Sequence, residues 1–140
     1  MANIIGSNIT HDLVYEANAD ANKQLARVID AKSQQVALGG GKKSIERHKA
    51  KGKLTARERI ARLIDVDSTF LEVGLFTAHG MYEAEGGCPS AGVVTGIGII
   101  HGRECFIVAN DATVKAGAWF PMTAKKNRSE ERRVGKECCR

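Results

Sequence analysis

The sequence predicts a mixed α/β fold in which helices come first and strands follow. Three patterns support this: an apolar stripe with helical spacing before residue 39, a helix-capping pattern at residue 55, and two β-branched runs between residues 92 and 109. The 140 residues suffice for one domain or for a piece of a larger one. Hydrophobic residues make up 43% and charged residues 26%, which is typical of a globular chain and excludes a disordered one.

The first half of the chain predicts three helices. Residues 18–38 carry apolar residues near one helical face and end at three glycines. The apolar residues of this face are Ala21, Leu25, Val28, Ile29 and Val36. A short second helix is predicted over residues 44–51, where Gly52 ends it. The third begins at Thr55, because Thr55 and Glu58 have the spacing of a capping box.

The second half predicts strands. After a turn at residues 65–69, residues 70–76 are predicted as one strand, and residues 80–92 as a glycine-rich connection. Residues 92–100 and 103–109 are β-branched and apolar, and His101 and Gly102 between them indicate a hairpin. Because both strands are apolar at nearly every position, we expect both faces to be covered. A loop is predicted at residues 113–117, and residues 119–126 begin a further helix.

Charge is concentrated in one segment. The chain has a net charge of +5, and residues 42–62 hold nine basic and two acidic residues. A segment of this kind predicts an anionic partner.

The cysteines predict neither a disulfide framework nor a metal site. Cys88, Cys105, Cys138 and Cys139 show no Cys-x-x-Cys or Cys/His ligand spacing. The apolar run at residues 93–100 is too short to span a membrane, and residues 1–10 lack the features of a leader peptide. We therefore expect a cytoplasmic protein with no membrane contact, or a mitochondrial matrix protein if the source is eukaryotic.

The last thirteen residues break the pattern. Val134 is the single aliphatic residue of residues 128–140, so no apolar stripe continues the helix predicted at residue 119. Residues 128–138 also match one reading frame of a common sequencing-library adapter. We expect the natural sequence to stop near Asn127, with an artefactual tail after it. The alternative is a solvated, charged C-terminal tail.

Three segments together resemble a known family. They are Gly39-Gly40-Gly41 leading into Ile45-Glu46-Arg47-His48, residues 51–60 (KGKLTARERI), and residues 92–98 (GVVTGIG) running on through residues 109–117 (ANDATVKAG). Their order and spacing resemble the β (carboxyltransferase) subunit of biotin-dependent acyl-CoA carboxylases. Residues 110–115 look closest to methylcrotonoyl-CoA carboxylase. Residues 118–122 (AWFPM) depart from its usual form, which leaves propionyl-CoA or broader acyl-CoA specificity open.

The resemblance implies a crotonase-like fold of β-β-α turns that has only begun within this chain. It also implies carboxyl transfer from carboxybiotin, carried on a biotin-containing α subunit, to an acyl-CoA. The β subunits would assemble as a homo-hexamer. The family's backbone oxyanion donors lie beyond this segment, so no catalytic residue and no metal are predicted here and the isolated chain is expected to be inactive. We divide the chain into an extension (1–17), a partial carboxyltransferase amino-terminal domain (18–127) and the tail (128–140).

Two groups of candidate site residues follow. Coenzyme A carries a 3′-phosphate and a pyrophosphate, which Arg and Lys clusters bind. The candidates for those phosphates are Lys51, Lys53, Arg57 and Arg59. The alternative is a solvated helix face or ion pairs, and we expect Thr55 to act as a helix cap.

The second group follows a strand, where sites tend to lie. Asn110, Asp111, Lys115 and Gly117 are candidates for the border of an acyl or biotin pocket. An ordinary turn with Asn/Asp chemistry is the alternative.

A nucleic-acid-binding module is the rival function of another class, because a basic helix pair could follow phosphates. Residues 42–62 contain no aromatic residue for base stacking, which argues against it. We expect no nucleic-acid partner.

Overall fold

The computed structural model describes residues 11–135, and over that range helices precede an antiparallel sheet, which confirms the predicted order. The elements are α1 (Leu13–Ala37), α2 (Lys42–Ala50), α3 (Ala56–Leu63), β1 (Leu71–Val73), β2 (Val93–Ile100), β3 (Arg103–Asn110) and α4 (Pro121–Gly135). Among the described helices, none combines the length and the hydropathy of a membrane-spanning segment. The first ten residues of the predicted extension, and Cys138 and Cys139, lie outside the described residues.

The chain divides into two compact units, residues 1–32 and 33–140. The first unit holds most of α1, which begins five residues earlier than predicted. Asp12 explains the early start, because its carboxylate accepts a hydrogen bond from the Tyr15 amide at 2.8 Å and so caps the helix. Much of the predicted apolar stripe is exposed: Leu25, Val28 and Ile29 are each more than half exposed.

In the second unit, α2 and α3 are joined by a short turn. The predicted capping box is confirmed: Thr55 Oγ1 accepts from the Glu58 amide at 3.3 Å, and the Glu58 carboxylate accepts from the Thr55 amide at 2.9 Å. Lys49 pairs with the same carboxylate at 2.6 Å and ties the end of α2 to α3. These contacts, that of Lys49 first, lower the pKa of Glu58 to about 2.

The sheet has the order β1-β2-β3, with both pairs antiparallel. β1 is shorter than predicted, because Gly74 follows it with a φ of +69° and turns the chain. The hairpin is confirmed, since Ile100 pairs with Arg103 and both residues between them have positive φ.

The Asp65 carboxylate binds the hairpin turn: it accepts hydrogen bonds from the amides of His101 and Gly102, each at 2.7 Å. These two bonds lower the pKa of Asp65, the one from Gly102 contributing most.

The core of this unit forms where α3 packs on β2 and β3. Ala56 and Ile60 of α3 are buried against Val94 and Ile107, with Ile64, Phe70, Ile100 and Ala109 around them. The expectation that both faces of both strands are covered is wrong for both strands. Ile97 and Ile99 of β2 and Val108 of β3 are 39%, 37% and 50% exposed. They alternate with the buried Val94 and Ile107, so they lie on the face of the sheet opposite α3.

α4 starts where a helix was predicted but continues further. Pro121 occupies its first turn, as proline prefers, and Thr123 Oγ1 accepts from the Phe120 amide at 3.1 Å. The helix runs to Gly135, beyond Asn127, although residues 128–135 carry no apolar stripe. Residues 128–133 are mostly Arg and Glu, which have high helix propensity and need no apolar stripe to remain helical. The origin of the tail stays a prediction.

Candidate functional site

The basic turn after α2 is held by backbone hydrogen bonds and a histidine. The amides of Lys51 and Lys53 both donate to the carbonyl of His48, at 3.2 and 3.4 Å. His48 Nε2 lies 3.2 Å from the carbonyl oxygen of Leu54, so this ring nitrogen donates in that contact. Gly52 between the lysines has a φ of +69°. The turn therefore presents two exposed ammonium groups beside the end of α2.

The loop after β3 is fixed against the glycines that precede α2. Asp111 Oδ1 accepts from the amide and the hydroxyl of Thr113, at 2.9 and 2.6 Å. Thr113 Oγ1 in turn accepts from the Gly40 amide at 3.1 Å. A Cβ at Gly40 would overlap the Thr113 carbonyl, so glycine is required for this approach. These contacts join two segments 73 residues apart in sequence.

A first cavity, of about 280 Å³, lies between α2 and this loop. Its polar lining residues are Ser44, Arg47, His48, Lys51, Lys53 and Thr113. The sequence-predicted Lys51 and Lys53 thus face the same space as the loop that contains the second group of candidates. A cavity bordered by three cations and a histidine is suited to an anion with more than one charge.

A second, larger cavity of about 790 Å³ adjoins the first, because both are lined by Ser44, Arg47, Thr113 and Ala116. Its wall comprises residues 38–41, 86–87 and 113–116. Lys115 and Arg47 supply its positive charge. We refer to the two adjoining cavities as the α2 cleft.

The remaining predicted residues lie elsewhere or serve other contacts. Arg57 lines neither cavity of the α2 cleft. Its guanidinium forms a two-pronged ion pair with Glu72, and its Nε donates to the Ala37 carbonyl at 3.1 Å. Arg59 and Asn110 line two neighbouring grooves, of about 510 and 600 Å³, at α3 and β3.

Asp111 acts through its bonds to Thr113, and Gly117 does not line the cleft. Of the predicted residues, Lys51 and Lys53 therefore line one cavity of the α2 cleft and Lys115 lines the adjoining one, whereas Arg57 lines neither.

Sequence reasoning missed the helical part of the site. Ser44, Arg47 and His48 lie at positions i, i+3 and i+4, which places them on one face of α2, and Lys51 follows at i+7 directly after the helix ends. The charge of residues 42–62 indicates an anionic partner for the whole segment but does not single out this face of the helix. The glycines at residues 39–41 are predicted as a helix end and belong to one of the segments that resemble the family, and they also line the larger cavity.

The described residues offer little other chemistry. Within residues 11–135, no group of three His, Cys, Asp or Glu side chains could hold a metal ion. Cys88 is 1% exposed, and burial raises the pKa of its thiol, so it is not a reactive nucleophile at neutral pH.

Comparison with known proteins places these observations in a family. Residues 47–138 match the model of the carboxyl transferase domain. The chain is 49% identical over 109 residues to a biotin-dependent 3-methylcrotonyl-coenzyme A carboxylase beta1 subunit of Mycobacterium tuberculosis, covering 78% of this chain and 20% of the relative. It is 44% identical over 127 residues to a probable mitochondrial methylcrotonoyl-CoA carboxylase beta chain of Drosophila melanogaster, covering 90% and 22%.

Other relatives bear different acyl-CoA names. One is the methylmalonyl-CoA decarboxylase subunit alpha of Propionigenium modestum, 44% identical over 103 residues, with 70% of this chain and 19% of the relative covered. The chain thus spans about a fifth of the length of the curated relatives it matches.

Two solved structures are similar in fold. Transcarboxylase 12S, described as a hexamer with hydrolysed methylmalonyl-coenzyme A bound, matches with a TM-score of 0.65 and 35% identity, covering 72% of this chain and 20% of that one. The beta subunit of geranyl-CoA carboxylase from P. aeruginosa matches with a TM-score of 0.72 and 24% identity, covering 88% and 23%. The predicted mixed α/β class, and the crotonase-like carboxyltransferase fold that the resemblance implied, are confirmed.

Proposed function

Because the chain belongs to the carboxyl transferase family, we propose that it forms part of the carboxyltransferase component of a biotin-dependent acyl-CoA carboxylase. Carboxybiotin, carried on a partner α subunit, supplies the carboxyl group, and an acyl-CoA accepts it. The β subunit assembles with copies of itself, as the transcarboxylase 12S relative is described to do. We place the enzyme in the cytoplasm of a bacterium, or in mitochondria if the source is eukaryotic, as the names of the eukaryotic relatives say of those proteins.

The acyl group we propose resembles 3-methylcrotonoyl. Relatives with this name are 41–51% identical over most of the chain. Relatives named for methylmalonyl-CoA and propionyl-CoA reach 41–44%, so a propionyl-like substrate is the second candidate. Carboxylation of 3-methylcrotonoyl-CoA in preference to propionyl-CoA by the assembled enzyme distinguishes the two.

The contribution of this chain is to hold the phosphates of the thioester. The observation that carries this proposal is that Lys51 and Lys53 converge with Arg47 and His48 on one small cavity. Cations that surround a concave space bind phosphate by charge-assisted hydrogen bonds, whereas scattered surface cations do not. Arg59, on the neighbouring groove, adds to the positive potential at the approach.

The α2 cleft contains no residue that we assign to bond formation. Carboxyl transfer requires an enolate, and backbone amides stabilise such an anion when they are fixed around it. We therefore expect the chain alone to bind the thioester without turnover.

The experiment compares 3-methylcrotonoyl-CoA with its pantetheine thioester, which lacks all the phosphates, by calorimetric titration of the chain. We expect the chain to bind the CoA thioester about tenfold more tightly, and K51A/K53A to remove that preference. The matched control, K42A/K43A, removes the same charge from α2 at exposed residues outside the cleft. Equal affinity of the folded wild-type chain for both thioesters would reject the proposal.

A further inference from the structure

Lys115 is presented to the larger cavity by a strained turn. Lys115, Ala116 and Gly117 have φ values of +46°, +55° and +83°, so three successive residues are left-handed. Two of them carry a Cβ, which makes this conformation unfavourable. Strain of this kind persists where the surrounding structure imposes it, and it is concentrated at ligand-binding segments.

The glycine opposite makes room for the Lys115 side chain. A Cβ at Gly86 would lie 2.9 Å from Lys115 Nζ and 3.6 Å from its Cε. A Cβ at the neighbouring Gly87 would meet nothing within 4 Å, although both glycines have positive φ. Gly86 therefore lets the ammonium group lie close to the wall of the larger cavity, which both glycines line.

The α2 cleft thus has two cationic ends with Arg47 between them. Of these two cavities, Lys51 and Lys53 line only the smaller, Lys115 lines only the larger, and Arg47 lines both. Lys53 also lines the neighbouring groove of about 510 Å³. A ligand with a single phosphate would use one end. Coenzyme A carries two separate anionic groups, a 3′-phosphate monoester and a pyrophosphate.

We propose that the two cavities bind these two groups separately, with the 3′-phosphate at Lys51 and Lys53 and the pyrophosphate at Lys115. This inference rests on the proposed function. The monoester concentrates up to two charges on one phosphorus, which suits the small cavity with the denser cations. The pyrophosphate is bulkier and continues into the pantetheine arm, which suits the larger cavity lined by glycine backbone. Arg47 contacts both groups.

The test measures affinities of the chain for CoA, for dephospho-CoA, which lacks the 3′-phosphate, and for pantetheine. In K115Q we expect dephospho-CoA to bind about tenfold more weakly, pantetheine to bind as before, and the ratio of CoA to dephospho-CoA affinity to be unchanged. In K51A/K53A that ratio should fall to near one. K115R should retain most of the affinity, and K125Q, an exposed lysine outside the cleft, should behave as wild type.

The position of Lys115 is tested without removing its charge. G86A and G87A place a Cβ at positive φ in both cases, so they carry the same kind of backbone strain. The Cβ of G86A meets only the far end of the flexible Lys115 side chain. We therefore expect G86A to shift the ammonium group and to weaken dephospho-CoA binding less than K115Q does, and G87A to retain the wild-type affinity.

Three results would overturn the inference while leaving the proposed function in place: no effect of K115Q on dephospho-CoA, an equal effect on pantetheine, or a loss of the 3′-phosphate preference in K115Q. A folded wild-type chain that binds all three compounds equally would overturn the proposed function as well.

Discussion

Arg57 and Glu72 form a two-pronged ion pair between α3 and β1, with Nη2 to Oε1 at 2.8 Å. Glu72 is 16% exposed, and Arg57 Nε also holds the carbonyl of Ala37. The Arg57 guanidinium therefore joins the end of α1, the start of α3 and strand β1. Arg57 was a sequence-predicted phosphate ligand, but in the structure it holds these three elements together.

We predict that R57A lowers the free energy of unfolding by about 1–3 kcal/mol, since it leaves a largely buried carboxylate unpaired. R57K should lose a similar amount, because a single ammonium cannot replace the planar two-pronged contact. Urea unfolding of the chain measures this effect. A K51A variant, which changes an exposed lysine, serves as the control and should unfold as wild type. Unchanged stability in R57A would contradict the prediction.

The capping box gives a second prediction. T55A removes the hydroxyl that accepts the Glu58 amide, so we expect a loss of about 1 kcal/mol, while T55S should remain near wild type. Urea unfolding of the two variants side by side measures the difference, and equal losses in both would contradict a capping role.

The carboxylates of Glu58 and Asp65 predict how stability depends on pH. Both have a pKa below the ordinary value, so their contribution is complete above the unfolded pKa of about 4 and is lost as pH falls through the folded pKa. For Glu58 the loss extends down to about pH 2. We expect the free energy of unfolding of D65N to fall less steeply at acidic pH than that of the wild type. A D67N control, at an exposed carboxylate, should leave the profile unchanged. If the stability of wild type and D65N fell identically at low pH, the contact of Asp65 with the hairpin turn would not contribute to the pH dependence.

The contact of Gly40 with the loop after β3 gives a further prediction. G40A forces a Cβ against the Thr113 carbonyl, and we expect a loss of about 2–3 kcal/mol and a disrupted α2 cleft. In G41A the Cβ meets nothing within 4 Å, but the φ of +83° and the ψ of 167° form a backbone conformation that is essentially restricted to glycine, so we expect strain of about 1–3 kcal/mol without a steric clash. Thermal unfolding of the two variants measures both losses. A stability of G40A equal to that of the wild type would show that the close approach is not required.

The features that the sequence predicted are those set by near neighbours. Thr55 and Glu58 are three residues apart, and the His101-Gly102 turn lies directly between two β-branched runs, so local chemistry was sufficient. The contacts that sequence reasoning did not predict join distant residues: Gly40 meets Thr113 across 73 residues at the site, and Asp65 binds the hairpin turn at His101 across 36 residues. No periodicity encodes such contacts, because they depend on how the elements pack.

The backbone of Lys115 was also beyond sequence reasoning. Lysine and alanine do not predict left-handed φ, and only the packed loop imposes it at Lys115 and Ala116. At Leu25 and Val28 the apolar spacing correctly predicted a helix, but it did not predict that these side chains are exposed.

The most direct measurement is a crystal structure of the chain bound to 3-methylcrotonoyl-CoA. We predict ligand phosphate oxygens within hydrogen-bond distance, about 3 Å, of the ammonium groups of Lys51 and Lys53. A complex in which both ammonium groups face solvent, with the thioester bound elsewhere on the chain, would contradict the central claim.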